Sequence, residues 1–564
     1  METRRDFLQF AAVCAAATGF SGALSKVAAQ QRLTQDALLE FPNKGSLTLL
    51  HITDIHAQLK PVFFRPPSEN YGVGAFEGIP PHLVGEQFLQ HFNLEKGSAL
   101  AYAHTMVDYV SLATEYGRLG GLDRIATVVK AIRAERGDDS VLLLDGGDTW
   151  QGSYTALKTD AQDMVDCMRL LKPDAMVGHW EFTLGADRVL DIIDSLQYPF
   201  LAGNIVDTDW EEPVFESTAF FDKGNTRVAV IGQAMPYTPI SNPRYLFPEW
   251  SFGLRTETLQ SNIDAARANG AEVVVLLSHN GFDVDQKLAG ILSGLDVILT
   301  GHTHDAVPEA LNINNTLVLS SGSHGKYLGR IDLDIKNGKV VDYSSSLIPI
   351  FSDVIEPDKE MSQQIDLVRA PYEKEVNRVI GQTESLLYRR GNFNGTWDDL
   401  ICEGLIEQRD AELSFSPGFR WGSTLLPNQN ITIDDLYNQT AMTYPEVYRL
   451  EFSGKQIKDI LEDVCDNLFN PDPFFQQGGD MVRVGGMGYT CEPKKTIGSR
   501  ISNMTLLESG EAIDPQRNYV VAGWASVNEN VEGPAVFDLM ENHILDKKVV
   551  TMQPNNTVKV AGMD

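Results

Sequence analysis

Between residues 46 and about 334 the chain repeats one pattern: a short apolar run rich in β-branched residues, a polar loop, then a segment with apolar positions every three or four residues. The runs at 47–52, 141–144, 175–177, 228–231, 273–277, 297–299 and 317–319 show almost no apolar/polar alternation. That predicts strands covered on both faces. Between two of them Leu122, Ile125, Val128, Val129 and Ile132 line one face of a predicted helix over 122–135. Strands and helices alternating in this way predict an α/β layered domain.

The rhythm breaks at 61–115, a stretch rich in Pro, Gly and aromatic residues that follows a strand end. An insertion of this length at such a place is expected to overhang a site. From 356 to 380 the sequence is charged and helical, with Met361, Ile365, Val368 and Tyr372 near one stripe, which reads as a linker helix. Beyond it, helices at 397–409 and 454–467 and strands at 448–452 and 519–522 predict a separate α+β domain over 381–564. A chain of 564 residues exceeds what one core usually organises. The expected organisation is therefore a leader at 1–29, a domain at 30–355 carrying the insertion, the linker, and the C-terminal domain. The leader reading rests on Arg4-Arg5 followed by Asp6, Phe7 and Leu8, an Ala-rich apolar stretch and an exit near Val27-Ala28-Ala29, the layout of a twin-arginine-type signal that directs a folded protein to the periplasm.

Charge sharpens the picture. Acidic residues outnumber basic ones by 77 to 46, a formal charge of -31, which argues against a nucleic-acid partner, because phosphate contact needs a basic footprint. An anionic substrate then needs a local cationic site, and bound metal is the obvious source. No run beyond the leader approaches the ~20 apolar residues of a membrane span. Outside it the cysteines are Cys167, Cys402, Cys465 and Cys491, with no CxxC spacing; Cys465 and Cys491 either pair or stay as buried thiols.

Five polar clusters follow predicted strands: Asp54-Ile55-His56, Gly146-Gly147-Asp148-Thr149, Gly178-His179-Trp180-Glu181, Ser278-His279-Asn280-Gly281 and Gly301-His302-Thr303-His304. The carboxyl ends of the strands in an α/β sheet share one edge, so these clusters are expected to converge. Each alone is weak, since a lone His or Asp after a strand is commonly structural. Together they form a metal-ligand set of Asp54, His56, Asp148, His179, His279, His302 and His304. Mixed carboxylate and imidazole donors suit Mn, Fe or Zn better than Mg or Ca. Seven groups exceed the needs of one ion and point to two, with a carboxylate bridging.

The order DxH, GGDT, GHWEF, SHNG, GHTHD, with the segments from Tyr116 to Leu122 and from Lys326 to Arg330, resembles the 5′-nucleotidase branch of the calcineurin-like metallophosphoesterases over nearly the whole chain beyond the leader. The resemblance implies an α/β fold, a layered metallophosphoesterase-type β-sandwich flanked by helices, with a C-terminal α+β 5′-nucleotidase-type domain. It also implies that Asp54, His56 and His304 hold one ion, His279 and His302 the other, and that Asp148 bridges. Where nucleotidases show Gly-Asn-His-Glu, this chain has Gly178-His179-Trp180-Glu181. His179 can replace Asn as a ligand, but Trp180 cannot replace the catalytic His, because indole is a neutral donor without charge. This argues against ordinary phosphate-ester hydrolysis.

With that variant, the insertion, the segment from Ser321 to Lys326, Gly418-Phe419-Arg420-Trp421-Gly422 and the leader, the chain looks like the SoxB-type thiosulfohydrolases of sulfur oxidation. That resemblance implies two manganese ions and release of sulfate from a cysteine S-thiosulfonate on the SoxYZ carrier protein by attack of a metal-bound hydroxide. The candidate catalytic residues are then Trp180, Arg420 and His324, with Arg420 and Tyr489 binding substrate. Phe474, Phe475 and Tyr489 could form a nucleoside clamp, although aromatic side chains in a Pro-rich loop more often pack than bind, and a periplasmic 5′-nucleotidase or other phosphoesterase is the alternative function.

Overall fold

The leader expected at 1–29 lies outside the residues that the computed structural model describes, which are 33–39, 41, 43–528 and 531–563. Two sheets face each other in the first part of the chain. In one, Leu47–Ile52 runs parallel to Val141–Asp145 and antiparallel to Tyr327–Lys336, with Ala175–Met176 and Lys339–Pro349 outermost. In the other, Thr226–Gln233, Val273–Ser278, Val297–Thr300 and Thr316–Ser320 are mutually parallel, with Thr218–Lys223 and Leu311–Ile313 added antiparallel at the edges.

The missing alternation now has its cause. Leu47, Leu49, Leu142 and Leu144 of the first sheet face Val228, Val230, Val273, Val275, Val297 and Leu299 of the second, forming the centre of a sandwich. The intervening positions Leu50, Ile52, Val141 and Leu143 turn outward onto the helices Leu122–Arg136 and Gln162–Leu171. On the far side Ile231, Val274, Leu276 and Ile298 pack under Thr256–Ala268 and Phe282–Ile291. Both faces of each central strand are buried, so both are apolar.

The expected linker is a helix at Lys359–Arg369 followed by a short one at Glu373–Val376. Met361 and Ile365 bury into the same core as Leu122–Arg136, so this segment is packed rather than free. Beyond it a four-stranded sheet, in the order Val447–Ser453, Asn518–Trp524, Leu413–Ser416, Arg483–Gly485, carries helices Thr396–Arg409 and Gly454–Phe469. Cys465 and Cys491 lie there as free thiols, 3.5 Å apart between sulfurs. Among the described residues no helix is long and apolar enough to cross a membrane.

The 61–115 insertion holds three short helices, Gly85–His91, Ala99–His104 and Tyr109–Tyr116. It leans on the strand-end loops: Asn70 Nδ2 donates to Asp305 Oδ1 at 3.1 Å, His82 Nε2 lies 2.9 Å from Asp283 Oδ2, and the buried Lys326 ammonium donates to the Phe64 and Ala103 carbonyls.

Candidate metal centre

The carboxyl ends of the parallel strands of both sheets open on one edge, and the five polar clusters meet there. All seven expected ligands are buried, none more than 8 % exposed. Two overlapping sets have ligand atoms within 4.8 Å of one another: Asp148, His179, His279 and His302, and Asp54, His56, Asp148 and His304. Asp148 belongs to both. Five of the seven, Asp54, His56, Asp148, His302 and His304, hold left-handed φ between 49° and 74°. Left-handed backbone is uncommon outside glycine and persists where surrounding structure enforces it, typically at functional sites. Gly301 shows the crowding: a Cβ there would stand 2.4 Å from Thr53 Oγ1 and 3.0 Å from His279 Nδ1.

The geometry fits cations better than it fits the side chains alone. His279 Nε2 is 3.1 Å and His304 Nε2 3.2 Å from the nearest oxygens of Asp148 and Asp54. His56 Nε2 and His304 Nε2 converge to 3.1 Å. Yet among the described residues His279 Nε2, His304 Nδ1 and both nitrogens of His302 are buried without a hydrogen-bond partner, an arrangement that is costly unless something else satisfies them. Electrostatics point the same way. Burial, then the neighbouring imidazoles, hold His302 and His304 well below the ordinary imidazole range, so they stay neutral. Burial opposes charge on Asp148, but His179 and His279 keep it ionised. Burial opposes charge on His279 also, and there the Asp148 and Asp54 carboxylates win, lifting its pKa to about 10. A proton on His279 supplies the positive charge that the carboxylates demand and that bound metal would provide. The donor set therefore suits two divalent ions.

Outer contacts set the ligands. His279 Nδ1 donates to the Gly146 carbonyl at 2.5 Å, leaving Nε2 for a cation. Glu181, given no role by the sequence reading, accepts from the backbone N–H groups of His179 at 2.8 Å, Asp148 at 3.2 Å, Thr149 at 2.7 Å and Trp150 at 3.3 Å. One carboxylate thus clamps two ligand loops. Its only sequence signal was an acid two positions past a ligand. Outer partners of this kind are worth ~10–100-fold in metal affinity. Glu181→Gln, which turns one acceptor into a donor facing N–H groups, is expected to lower divalent-metal affinity by about that factor, read by metal titration.

A cavity of about 220 Å³ opens beside the ligands, walled by Trp180, Phe419, Arg420 and Trp421 together with Asp148, His179, His302 and His304. Trp180 meets Phe419 edge-on at 5.2 Å between ring centroids. Arg420 is oriented by Asp480, whose Oδ1 lies 3.3 Å from Nε, and by the Gly479 carbonyl, 2.8 Å from Nη2; its Nη1 has no hydrogen-bond partner among the described residues. Asp480 also meets Arg390 and Arg483. Arg390 also faces Asp305 at 3.9 Å and Arg483 faces Asp398 at 3.5 Å, so Arg420 is the guanidinium that brings positive charge to the cavity wall, the local cation that an acidic chain needs for an anionic substrate.

The other two expected site residues do not line this cavity. His324 lies beside the centre, its ring 5.6 Å from that of His56 and 5.8 Å from that of His304 between centroids; its Nε2 accepts the Gly422 N–H at 3.1 Å and its Nδ1 meets Ser323 Oγ at 2.8 Å, which ties the segment after Arg420 to the ligands. Tyr489 sits in the strand Met487–Cys491, 2 % exposed inside the C-terminal core, so its ring is packing and not a wall of this cavity.

Comparisons with known proteins agree with this architecture. Residues 379–538 match the family model described as 5′-nucleotidase, C-terminal domain. A snake venom 5′-nucleotidase of Naja atra is 26% identical over 434 residues, 69% of this chain and 79% of the relative. A 5′-nucleotidase precursor from Thermus thermophilus shares the fold, with a TM-score of 0.72 at 19% identity, covering 91% of this chain and 99% of that one. The sulfate thiohydrolase SoxB of Thermus thermophilus superposes with a TM-score of 0.89 at 34% identity, covering 93% of this chain and 98% of that one. With identity at that level over nearly the full length of both chains, this chain belongs to the SoxB family of hydrolases, built on the 5′-nucleotidase scaffold.

Proposed function

We propose that this chain is a periplasmic thiosulfohydrolase that releases sulfate from a cysteine S-thiosulfonate borne by a SoxYZ-type carrier, with manganese as its pair of ions. The observation that carries the reading is the cavity wall: Trp180 stands where the nucleotidase pattern has a histidine, and the cationic group beside it is Arg420. Two ions held by the seven ligands would supply Lewis acidity and a water of lowered pKa. The chain's own residues do the rest. Arg420 Nη1 is free to donate to a sulfonate oxygen, and the Asp480 carboxylate keeps the guanidinium in place. Trp180, Phe419 and Trp421 give the sulfur chain an aromatic wall to lie against. In the reaction a water oxygen bonds to the sulfonate sulfur, the bond from that sulfur to its neighbour breaks, the electron pair leaves with the carrier persulfide, and the two protons of the water pass to solvent as sulfate forms. Such a sulfur anion needs less protonation than an alkoxide, so indole at 180 is tolerated.

Manganese-loaded protein is expected to release sulfate from a thiosulfonate-bearing carrier peptide and little phosphate from AMP. Rapid AMP turnover without sulfate release would replace this reading with the nucleotidase one. The Trp180→His variant, which restores an acid/base group, is expected to raise phosphate release from AMP by ~10²-fold, the lower end for general acid–base catalysis. Parallel phosphate and sulfate assays measure it.

A further inference from the structure

Gly478 belongs to the C-terminal part of the chain, yet its α-carbon rests on a ligand of the metal centre. A Cβ built there would lie 1.9 Å from His302 Nε2, 2.8 Å from Cε1 and 3.0 Å from Cδ2. Neither nitrogen of His302 has a hydrogen-bond partner among the described residues. The outer-partner hydrogen bond that usually orients a metal-binding imidazole is therefore missing. His302 is held instead by its backbone N–H on the Asp54 carboxylate, 3.1 Å to either oxygen, by the rings of His179 and His279 at 5.0 Å and 5.4 Å between centroids, and by Gly478 along its outer edge.

From these contacts we infer that Gly478 is a positioning residue for the ion of the Asp148, His179, His279 and His302 set, so that a loop of the C-terminal domain controls occupancy of that one position. The loop cannot yield to a side chain at 478. Gln477 N donates to Asn467 O at 3.1 Å, Asp480 N to Gly418 O at 2.8 Å and Met481 N to Asn392 O at 3.0 Å. The Asp480 carboxylate is further held by Arg390, Arg420 and Arg483. A methyl group at 478 is thus accommodated by displacing the His302 imidazole. The other set, Asp54, His56, Asp148 and His304, does not include His302 and keeps its ion.

This inference rests on the two-ion reading, and one experiment separates the two. Gly478→Ala is compared with Gly479→Ala. Both glycines hold left-handed φ, 89° and 75°, so both variants carry similar backbone strain, but the nearest neighbour of a Cβ at 479 is Gly418 O at 3.7 Å. Metal content is measured on manganese-loaded, dialysed full-length protein. The expected result is two equivalents for the unaltered protein and for Gly479→Ala, and one for Gly478→Ala. Two equivalents in Gly478→Ala overturn the inference, as does loss of both ions from that variant or an equal loss in the two variants. Fewer than two in the unaltered protein overturns the two-ion reading itself.

Discussion

Asp148→Asn is expected to empty the centre, leaving less than one metal ion per chain where the unaltered protein is expected to hold two, and to lower sulfate release by roughly 10²- to 10⁴-fold, the equivalent of the ~3–5 kcal/mol lost when one member of a buried charged group is removed. The size follows from the position. Asp148 is shared by both ligand sets, and its Oδ2 lies 3.1 Å from His279 Nε2, 3.3 Å from His179 Nδ1 and 3.6 Å from His56 Nε2. Asparagine keeps the shape but removes the charge, and its amide nitrogen at that place would present a donor to a cation. The Oδ1 side is committed to the Trp180 N–H at 2.7 Å, which favours keeping the amide oxygen there and turning the nitrogen toward the ligands. Elemental analysis alongside a sulfate assay reads both effects. Two retained ions with unchanged turnover would mean that the shared carboxylate has no bridging role.

The sandwich was legible because its central strands bury both faces, and continuous apolar runs such as 273–277 follow from that packing. The paired strands Tyr327–Lys336 and Lys339–Pro349 were not read as such. Their outer ends alternate with exposed polar residues, and their turn, Asn337-Gly338 with φ of 54° and 71°, carried the hairpin signal beyond the point where the apolar rhythm fades. The helices of the insertion escaped because six to eight residues complete too few turns to show a period. At the centre, convergence of the ligand residues was legible from topology alone, since strand order places their loops on one edge. What sequence could not give was contact at long range. Glu181 is visible only as an acid near a ligand, Gly478 as one glycine among many, and Tyr489 as an aromatic ring whose burial is decided by strands far apart in the chain.

The same limit applies to Arg420, whose consequence is kinetic. Arg420→Met is expected to reduce kcat/KM for sulfate release by ~10²–10³-fold, the range for removing one preorganised donor from an oxyanion, while metal content stays at two equivalents. The separation is expected because Arg420 belongs to neither ligand set, and because Asp480 keeps Arg390 and Arg483 after the substitution, so no buried carboxylate is left without a partner. Arg420→Lys is the sharper variant. It retains positive charge near His302, but a single ammonium cannot contact Asp480, the Gly479 carbonyl and a sulfonate oxygen together as the planar guanidinium can. If long-range attraction of the anion were the whole contribution, lysine would restore turnover. If donor geometry decides, lysine recovers less than a tenth of it, and competitive inhibition by free sulfate weakens in both variants. A kcat/KM within threefold of the unaltered protein in Arg420→Met would remove this residue from substrate binding and leave the aromatic wall as the feature that selects for sulfur.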